Sequence, residues 1–280
     1  MKRGYSLERA GVHAALYLLL LVGAVVFLLP FWFMVAASFM PLEQIMGPGL
    51  KLWPEVFRPL NYVEAFTVQP MGRFFVNSTF VTVLSVIGTV VSCTLGGWGF
   101  SRPWFPGRNI LFVLVLSVMM IPGQVTMIPL YLIFTSFGWI DSYLPLIVPH
   151  FFGSAFYVFM VRQFFLTLPP ELMEAATIDG CGQLRTFWSI ALPLVKPAVV
   201  TVAVFTFVAV WNEFFGPLLY LNSPEKYTLP LGLTAFRGEP FAHYDYLMAA
   251  STVAILPVLA VFLFFQRYFV QGLASTGLKE

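Results

Sequence analysis

The stretch Ala14–Ala37, AALYLLLLVGAVVFLLPFWFMVAA, contains no charged residue. A bilayer core about 30 Å thick needs around 20 apolar residues of helix, so this segment is long enough to cross it. It exceeds the roughly 7–15-residue apolar centre of a secretory signal, and no small-residue cleavage site follows it, so it reads as a true span. Five more segments of the same kind follow: Phe74–Phe100, Asn109–Phe134, Tyr143–Phe164, Pro197–Leu219 and Leu247–Phe269. The fourth is the least regular, since Pro145, Pro149 and His150 interrupt it. None shows the period-2 alternation of a lipid-facing barrel strand. The expected class is an all-α membrane protein with six transmembrane helices.

Composition requires the same. Of 280 residues, 59% are hydrophobic and 10% charged, and the mean hydropathy is +0.84. Soluble domains carry about 25% charged residues, so this chain cannot face water all round and its partner solvent is membrane lipid. The net charge of +2 and the lack of any Lys/Arg stripe exclude a nucleic-acid partner. Cys93 and Cys181 fall at different depths, one in a span and one in a loop, which argues against a disulfide and fits no metal spacing. His13, His150 and His243 are likewise scattered and give no metal or general-base constellation. His150 reads as a hydrogen-bonded helix residue. No cofactor is expected.

Orientation follows the Lys/Arg bias. One side holds Lys2, Arg3, Arg9, Arg102, Arg108, Arg162, Arg185, Lys196, Arg267 and Lys279; the other holds Lys51, Arg58, Arg73, Lys226 and Arg237. Ten against five places both termini in the cytoplasm. The expected organisation is a cytoplasmic tail over residues 1–13, a first span with its outer loop over 14–73, a five-span core over 74–269, and a cytoplasmic tail over 270–280. Pro41–Arg73 and Tyr220–Tyr246 face outward and Arg162–Lys196 faces the cytoplasm.

Arg162–Lys196 is the most informative loop. Leu168-Pro169-Pro170-Glu171 opens a helix, because proline is tolerated in the first turn and Glu171 complements the positive end of the dipole. Leu172, Ala175 and Ala176 form one apolar stripe. Gly180 and Gly182 break the chain, and Leu184–Ile190 makes a second amphipathic stretch ended by Leu192-Pro193. Periodicity alone leaves two readings open: packing on the chain's own spans, or docking on something else.

Residue identity adds to this. Glu174-Ala175-Ala176, three residues, Gly180, nine residues, Ile190, one residue, Leu192-Pro193 resembles the EAA loop of ABC importer permeases. Met120-Ile121-Pro122, Ile128-Pro129-Leu130-Tyr131, Arg162-Gln163-Phe164-Phe165, Ala176-Thr177-Ile178-Asp179-Gly180 and Trp211-Asn212-Glu213-Phe214 are similar to permeases of the maltose and glycerol-phosphate class. The likeness covers roughly Phe74 to the C-terminus.

The resemblance implies a type I ABC importer permease fold with a cytoplasmic coupling helix seated in a cleft of an ATPase subunit. Glu174, Ala175, Ala176, Asp179, Gly180, Ile190, Leu192 and Pro193 belong to that element. It implies as partners a second homologous permease, two ABC ATPase subunits and an extracytoplasmic solute-binding protein. It implies alternating access to a sugar-like solute at the cytoplasmic membrane of a prokaryote. No G-x-x-x-x-G-K-[ST] occurs, so nothing here cradles a nucleotide phosphate, and ATP hydrolysis is assigned to another polypeptide.

Within the spans, Ser85, Thr89, Cys93 and Gly97 recur every fourth residue, with Gly88, Ser92 and Gly96 alongside. Small residues at this spacing let helices approach closely, either inside the bundle or across to a partner permease. Glu213 lies about 24 Å along its span from Pro197 at about 1.5 Å per residue, too far out for a midplane proton relay. Two readings remain for it and for Asn212: a structural one, such as capping or pairing with an outer Arg, and a place in the solute vestibule. Gln124 and Thr126, between the kinking Pro122 and Pro129, are either pathway-lining or ordinary packing residues. Tyr227, Phe236, Phe241, Tyr244 and Tyr246 in the second outer loop read as interfacial belt aromatics; the resemblance suggests contact with the binding protein.

Two other functions make demands that this sequence does not meet. An ion-coupled secondary transporter needs midplane carboxylates or broken helices there, and it leaves the EAA pattern unexplained. A membrane enzyme needs convergent nucleophile, base or metal ligands. An amino-acid or polyamine permease is the competing reading within the importer class.

Overall fold

The computed structural model describes the backbone of residues 2–238 and 242–277 and the side chains of 12–238 and 242–266. The charges expected of Lys2, Arg3, Arg9, Arg267 and Lys279, and the aromatic Phe241, lie outside the described side chains.

The described residues are mostly helical, with no strand among them. They include α1 (Lys2–Ala37), α2 (Met71–Ser101), α3 (Arg108–Ser117), α4 (Gly123–Ser136), α5 (Ala155–Thr167), α6 (Pro170–Ile178), α7 (Lys196–Trp211), α8 (Phe215–Tyr220) and α9 (Tyr244–Gly277). Four helical stretches are long and apolar enough to cross a membrane: Val12–Ala37, Met71–Ser101, Leu144–Thr167 and Tyr244–Gln266. Two further pairs meet the same test as bent spans, so the described residues hold up to six spans if each pair counts as one.

Those two pairs modify the expected segments. Asn109–Phe134 is not one rod. It breaks at Ile121-Pro122, and the halves meet at 99°. Proline disfavours the helical conformation of the residue before it, and Ile121 is extended with φ −87° and ψ 115°. The second pair joins Gln183–Leu194 to Lys196–Trp211 at 76°, just ahead of the expected Pro197–Leu219. That segment is itself interrupted, since α7 stops at Trp211 and α8 begins only at Phe215. The fourth span is continuous by length but changes character at Gly153, where φ is +83°.

The chain divides into two compact units. The first comprises residues 1–71 and 233–255. Its outer loop is folded on polar anchors. The buried Asn61 Nδ2 donates to the carbonyls of Ser38 and Met40 at 3.0 and 2.8 Å. Gln44 bridges Trp53 O and Glu55 N, and Trp53 stacks on Trp32 at 5.5 Å. Arg58 meets Glu64 at 2.9 Å, and Tyr246 Oη donates to the same carboxylate at 2.9 Å.

The second unit comprises residues 72–232 and 256–280, and α2 is its central rod. In lipid there is no hydrophobic drive between helices, so close packing and hydrogen bonds of about 0.6 kcal/mol each decide association. The small-residue stripe provides both inside the bundle. Ser85 Oγ donates to Leu146 O at 3.2 Å, and Thr89 Oγ1 lies 3.0 Å from His150 Nδ1. Cys93 Sγ accepts the Ser154 N–H at 3.2 Å, and Gly97 faces Val161. Ser85, Thr89 and Cys93 are buried, so this stripe is satisfied by the chain's own fourth span rather than left open for a partner.

Two apolar clusters sit at opposite ends of α2. One gathers Val81, Phe134, Leu146 and Tyr220; the other gathers Trp98, Val161, Phe165, Phe187 and Val202.

Beside the first cluster, Asp141 closes a polar latch between two loops. Its carboxylate accepts from Asn222 N at 3.0 Å, Ser223 N at 2.9 Å, Ser223 Oγ at 2.6 Å and Lys226 Nζ at 2.7 Å. The Lys226 ammonium first, and the Ser223 hydroxyl and N–H after it, hold the Asp141 carboxyl well below the usual carboxylate range. A folded pKa depressed in this way adds stability above the unfolded value of about 3.9 and loses it only as pH falls through the lower folded value. Asp141→Asn is therefore expected to lower the melting temperature by the same amount throughout pH 5–8, the gap to wild type closing in strong acid. Melting curves across that range test it; a gap that changes between pH 5 and 8 contradicts it.

Candidate functional site

The loop that follows α5 is built on a rigid base. Trp98 meets Phe165 edge-on at 5.3 Å and lies 5.7 Å from Phe187. Arg102, at the end of α2, donates from Nη2 to Phe165 O at 2.9 Å and also to Leu168 O. Arg162 Nε donates to Phe100 O at 3.0 Å, and its guanidinium lies 4.2 Å from the centre of the Phe112 ring. The ends of α2 and α5 are thus tied together immediately before the loop begins.

From that base α6 starts as the sequence dictates, with Pro169 and Pro170 at its entry and Glu171 in its first turn. It ends in a Schellman motif: Gly180 N–H bonds Thr177 O at 3.0 Å and Cys181 N–H bonds Ala176 O at 2.8 Å. That geometry needs a left-handed residue after the cap, and Gly180 has φ +77°. A Cβ there would meet nothing within 4 Å, so the glycine serves backbone conformation and leaves open space around it.

The second stretch differs from the expected boundary. It runs as helix over Gln183–Thr186, continues as a π turn over Phe187–Ala191 containing Ile190, and carries Leu192 and Pro193 on into a final turn. Proline there ends nothing, because it occupies the first turn of that last segment, where its missing N–H costs little.

Ala176 is buried; Glu174, Ala175, Asp179, Gly180 and Pro193 are exposed, and Ile190 and Leu192 are half-buried. Ala176 thus anchors the helix and its neighbours form the surface. Three large apolar side chains stand on that surface without cover: Ile178 at 86% exposure, Leu184 at 73% and Trp188 at 61%.

A second feature lies in the same unit near the other end of α2. A cavity of about 230 Å³ opens between α2, the Leu144–Phe152 segment, the α7–α8 junction and Thr228. Glu213 lines it, and so do Ser78, Thr82, His150 and Tyr220. Glu213 Oε1 accepts the Gly216 N–H at 3.0 Å, which fixes the start of α8. Asn212 Nδ2 donates to Val208 O at 2.8 Å and closes α7. Gln124 is exposed just beyond the 99° bend, and Thr126 Oγ1 donates to Gly123 O at 2.9 Å. Of the four polar residues singled out from sequence, Glu213 alone lines the cavity; Gln124, Thr126 and Asn212 do not. Ser78, Thr82, Tyr220 and Thr228 escaped sequence reading because each is an ordinary residue in its own segment. Only tertiary packing brings them together.

Known proteins share this architecture and parts of this sequence. Residues 88–275 match a family described as "Binding-protein-dependent transport system inner membrane component". The chain is 37% identical to the arabinooligosaccharides transport system permease protein AraQ of Bacillus subtilis, covering 95% of each. It is 30% identical to the sn-glycerol-3-phosphate transport system permease protein UgpE of Yersinia enterocolitica, covering 96% of this chain and 98% of that one. Its fold matches a chain of a bacterial ABC transporter involved in the import of the acidic polysaccharide alginate, with a TM-score of 0.81 at 23% identity, covering 92% of this chain and 96% of that one.

Proposed function

The chain belongs to the family of binding-protein-dependent transport system inner membrane components and has the type I importer permease fold, and from that premise we propose that it forms one half of an ATP-driven translocation pathway for a sugar or sugar-like solute. Its termini lie in the cytoplasm, residues 74–269 form the permease core, and Arg162–Lys196 is its coupling loop. A second homologous permease completes the pathway, an extracytoplasmic binding protein delivers the solute, and two ATPase subunits supply the force. This chain itself hydrolyses nothing.

The observation that carries the reading is the bare apolar surface of Ile178, Leu184 and Trp188 on a loop stapled to α2 and α5 by Arg102 and Arg162. Large apolar side chains left uncovered on a loop placed outside the spans suit a protein contact. A contact intended to transmit force must also be held rigidly to the spans that move. Closure of two ATPase subunits would swing the bundle as a body, exposing the pathway to one side and then the other. Glu174 and Asp179 supply polar anchors around the apolar contact, and the residues near Gly180 permit close approach. The sugar class is supported by the relatives named for arabinooligosaccharide transport. Gln124, Thr126, Asn212 and Glu213 are assigned to the pathway.

Affinity purification of the full chain from native membranes is expected to bring down a second permease and a P-loop ATPase, detected by mass spectrometry. A chain that arrives alone and transports solute in an uncoupler-sensitive, ATP-independent way sinks this reading.

A further inference from the structure

We propose that the cavity around Glu213 is a binding subsite for a single neutral sugar ring, so that this subunit touches the solute directly. The inference rests on the sugar-importer reading and assigns part of that pathway to named side chains.

The cavity's walls come from residues more than 130 positions apart in sequence, yet five polar groups meet there without a protein partner among the described residues. Thr82 and Thr228 are 1% and 4% exposed, and neither hydroxyl makes a hydrogen bond. Glu213 uses Oε1 on Gly216 N–H and leaves Oε2 unengaged. His150 uses Nδ1 on Thr89 and leaves Nε2 unengaged. Tyr220, in the wall of the same cavity, makes no side-chain hydrogen bond. Native structures rarely leave buried hydroxyls such as those of Thr82 and Thr228 unpaired. These two, facing the same space as the exposed Glu213 carboxylate and the half-buried His150 ring, call for an occupant that bonds several groups at once.

The set selects among occupants. A carboxylate accepts from two neighbouring hydroxyls, while threonine and tyrosine hydroxyls and an imidazole nitrogen can donate or accept. A polyhydroxylated ring presents both kinds of group around its edge. The apolar remainder of the wall, Val81, Leu146 and Pro217, suits the C–H face of such a ring. An anion meets the Glu213 carboxylate and is disfavoured. The volume of about 230 Å³ corresponds to about eight waters at roughly 30 Å³ each, enough for one ring and too small for an oligosaccharide.

Saturation-transfer NMR on the full chain, purified with whatever accompanies it, tests this with defined probes: L-arabinose, D-glucose and N-acetylglucosamine as neutral rings, glucuronate as an anion and spermidine as a cation. At least one neutral ring is expected to receive transfer. Glu213→Gln should weaken its binding about tenfold, the worth of a hydrogen bond to a charged group. Thr82→Val removes an unpaired buried hydroxyl without changing shape, so it should weaken binding several-fold while the melting temperature stays level or rises. That opposition separates a ligand contact from a structural one.

Transfer to glucuronate or spermidine alone overturns the proposal, as does neutral-sugar binding that ignores both substitutions. A chain that co-purifies with its ATPase and accepts none of the probes also overturns it; the cavity then holds water, and the importer reading stands. Loss of the ATPase partner is the separate result that removes the importer reading.

Discussion

Gly180→Asp is expected to cut ATP-driven uptake by at least about tenfold while leaving the permease folded and inserted in the membrane. Tenfold corresponds to about 1.4 kcal/mol, and an unpaired charge forced into a dehydrated contact costs several kcal/mol, so the figure is conservative. The fold itself has little reason to fail. Gly180 sits at φ +77°, and a side-chain carbon at that position would meet nothing within 4 Å. Aspartate and asparagine are the L-residues that enter the left-handed region most readily. The backbone penalty is about 1–2 kcal/mol at most and is confined to the cap. Gly180→Asn carries the same backbone cost without the charge and is the control. Uptake and ATP hydrolysis are measured together in vesicles. The expected pattern is hydrolysis without transport in the aspartate variant, and mild impairment in the asparagine one. If both variants transport like wild type, the surface beside Ile178, Leu184 and Trp188 is not where force enters.

The loop and the base it stands on are unequally legible in the sequence. The loop can be read because its chemistry is local: two prolines that can only open a helix, an apolar stripe at helical spacing, and a glycine where a Schellman cap needs one. Each operates within a few residues of chain. The base cannot be read in that way. Arg102 lies more than 60 positions before the carbonyls it holds, those of Phe165 and Leu168, and nothing in the run Ser101-Arg102-Pro103 announces that bond.

The spans show the same division. Their number and approximate places follow from hydropathy, since a bilayer imposes a length on any apolar helix. Their breaks depend on finer chemistry. Pro122 signals a kink, but the 99° bend at Ile121 also depends on where α4 packs. The end of α7 at Trp211 carries no proline; there Asn212 turns its side chain back onto Val208 O, and Glu213 caps the next helix. Polar residues near a span end thus read as pathway or cap with equal ease, and in Glu213 one oxygen is spent on a cap while the residue also lines the cavity. The cavity was invisible for a simpler reason. Its hydroxyls belong to Ser78, Thr82, Tyr220 and Thr228, which no spacing rule links.

The largest effect on the fold is expected from Gly97→Leu. A Cβ at Gly97 would lie 2.8 Å from Val161 Cγ1 and 3.0 Å from the backbone nitrogen of Arg162. A flexible side chain could yield, but a backbone nitrogen in the middle of α5 cannot, and Val161 and Phe165 beside it are fully buried. Leucine must therefore push α5 away from α2, costing about 3 kcal/mol, the upper end of ordinary overpacking. Gly99, two residues on in the same helix, has nothing within 4 Å, and Gly99→Leu changes helix propensity and apolarity equally without the clash. The expected outcome is a loss of monodisperse, detergent-stable protein for Gly97→Leu and wild-type behaviour for Gly99→Leu. Gly97→Ala probes function more finely, because its single methyl group collides with the same two atoms and shifts α5 only slightly. Arg162 and Phe165 hang from that helix, and through them the Phe100 and Arg102 bonds that seat the loop after α5. Gly97→Ala should therefore remain folded yet transport less per ATP hydrolysed. Full coupling in Gly97→Ala, or full stability in Gly97→Leu, means the loop does not take its position from the α2–α5 contact.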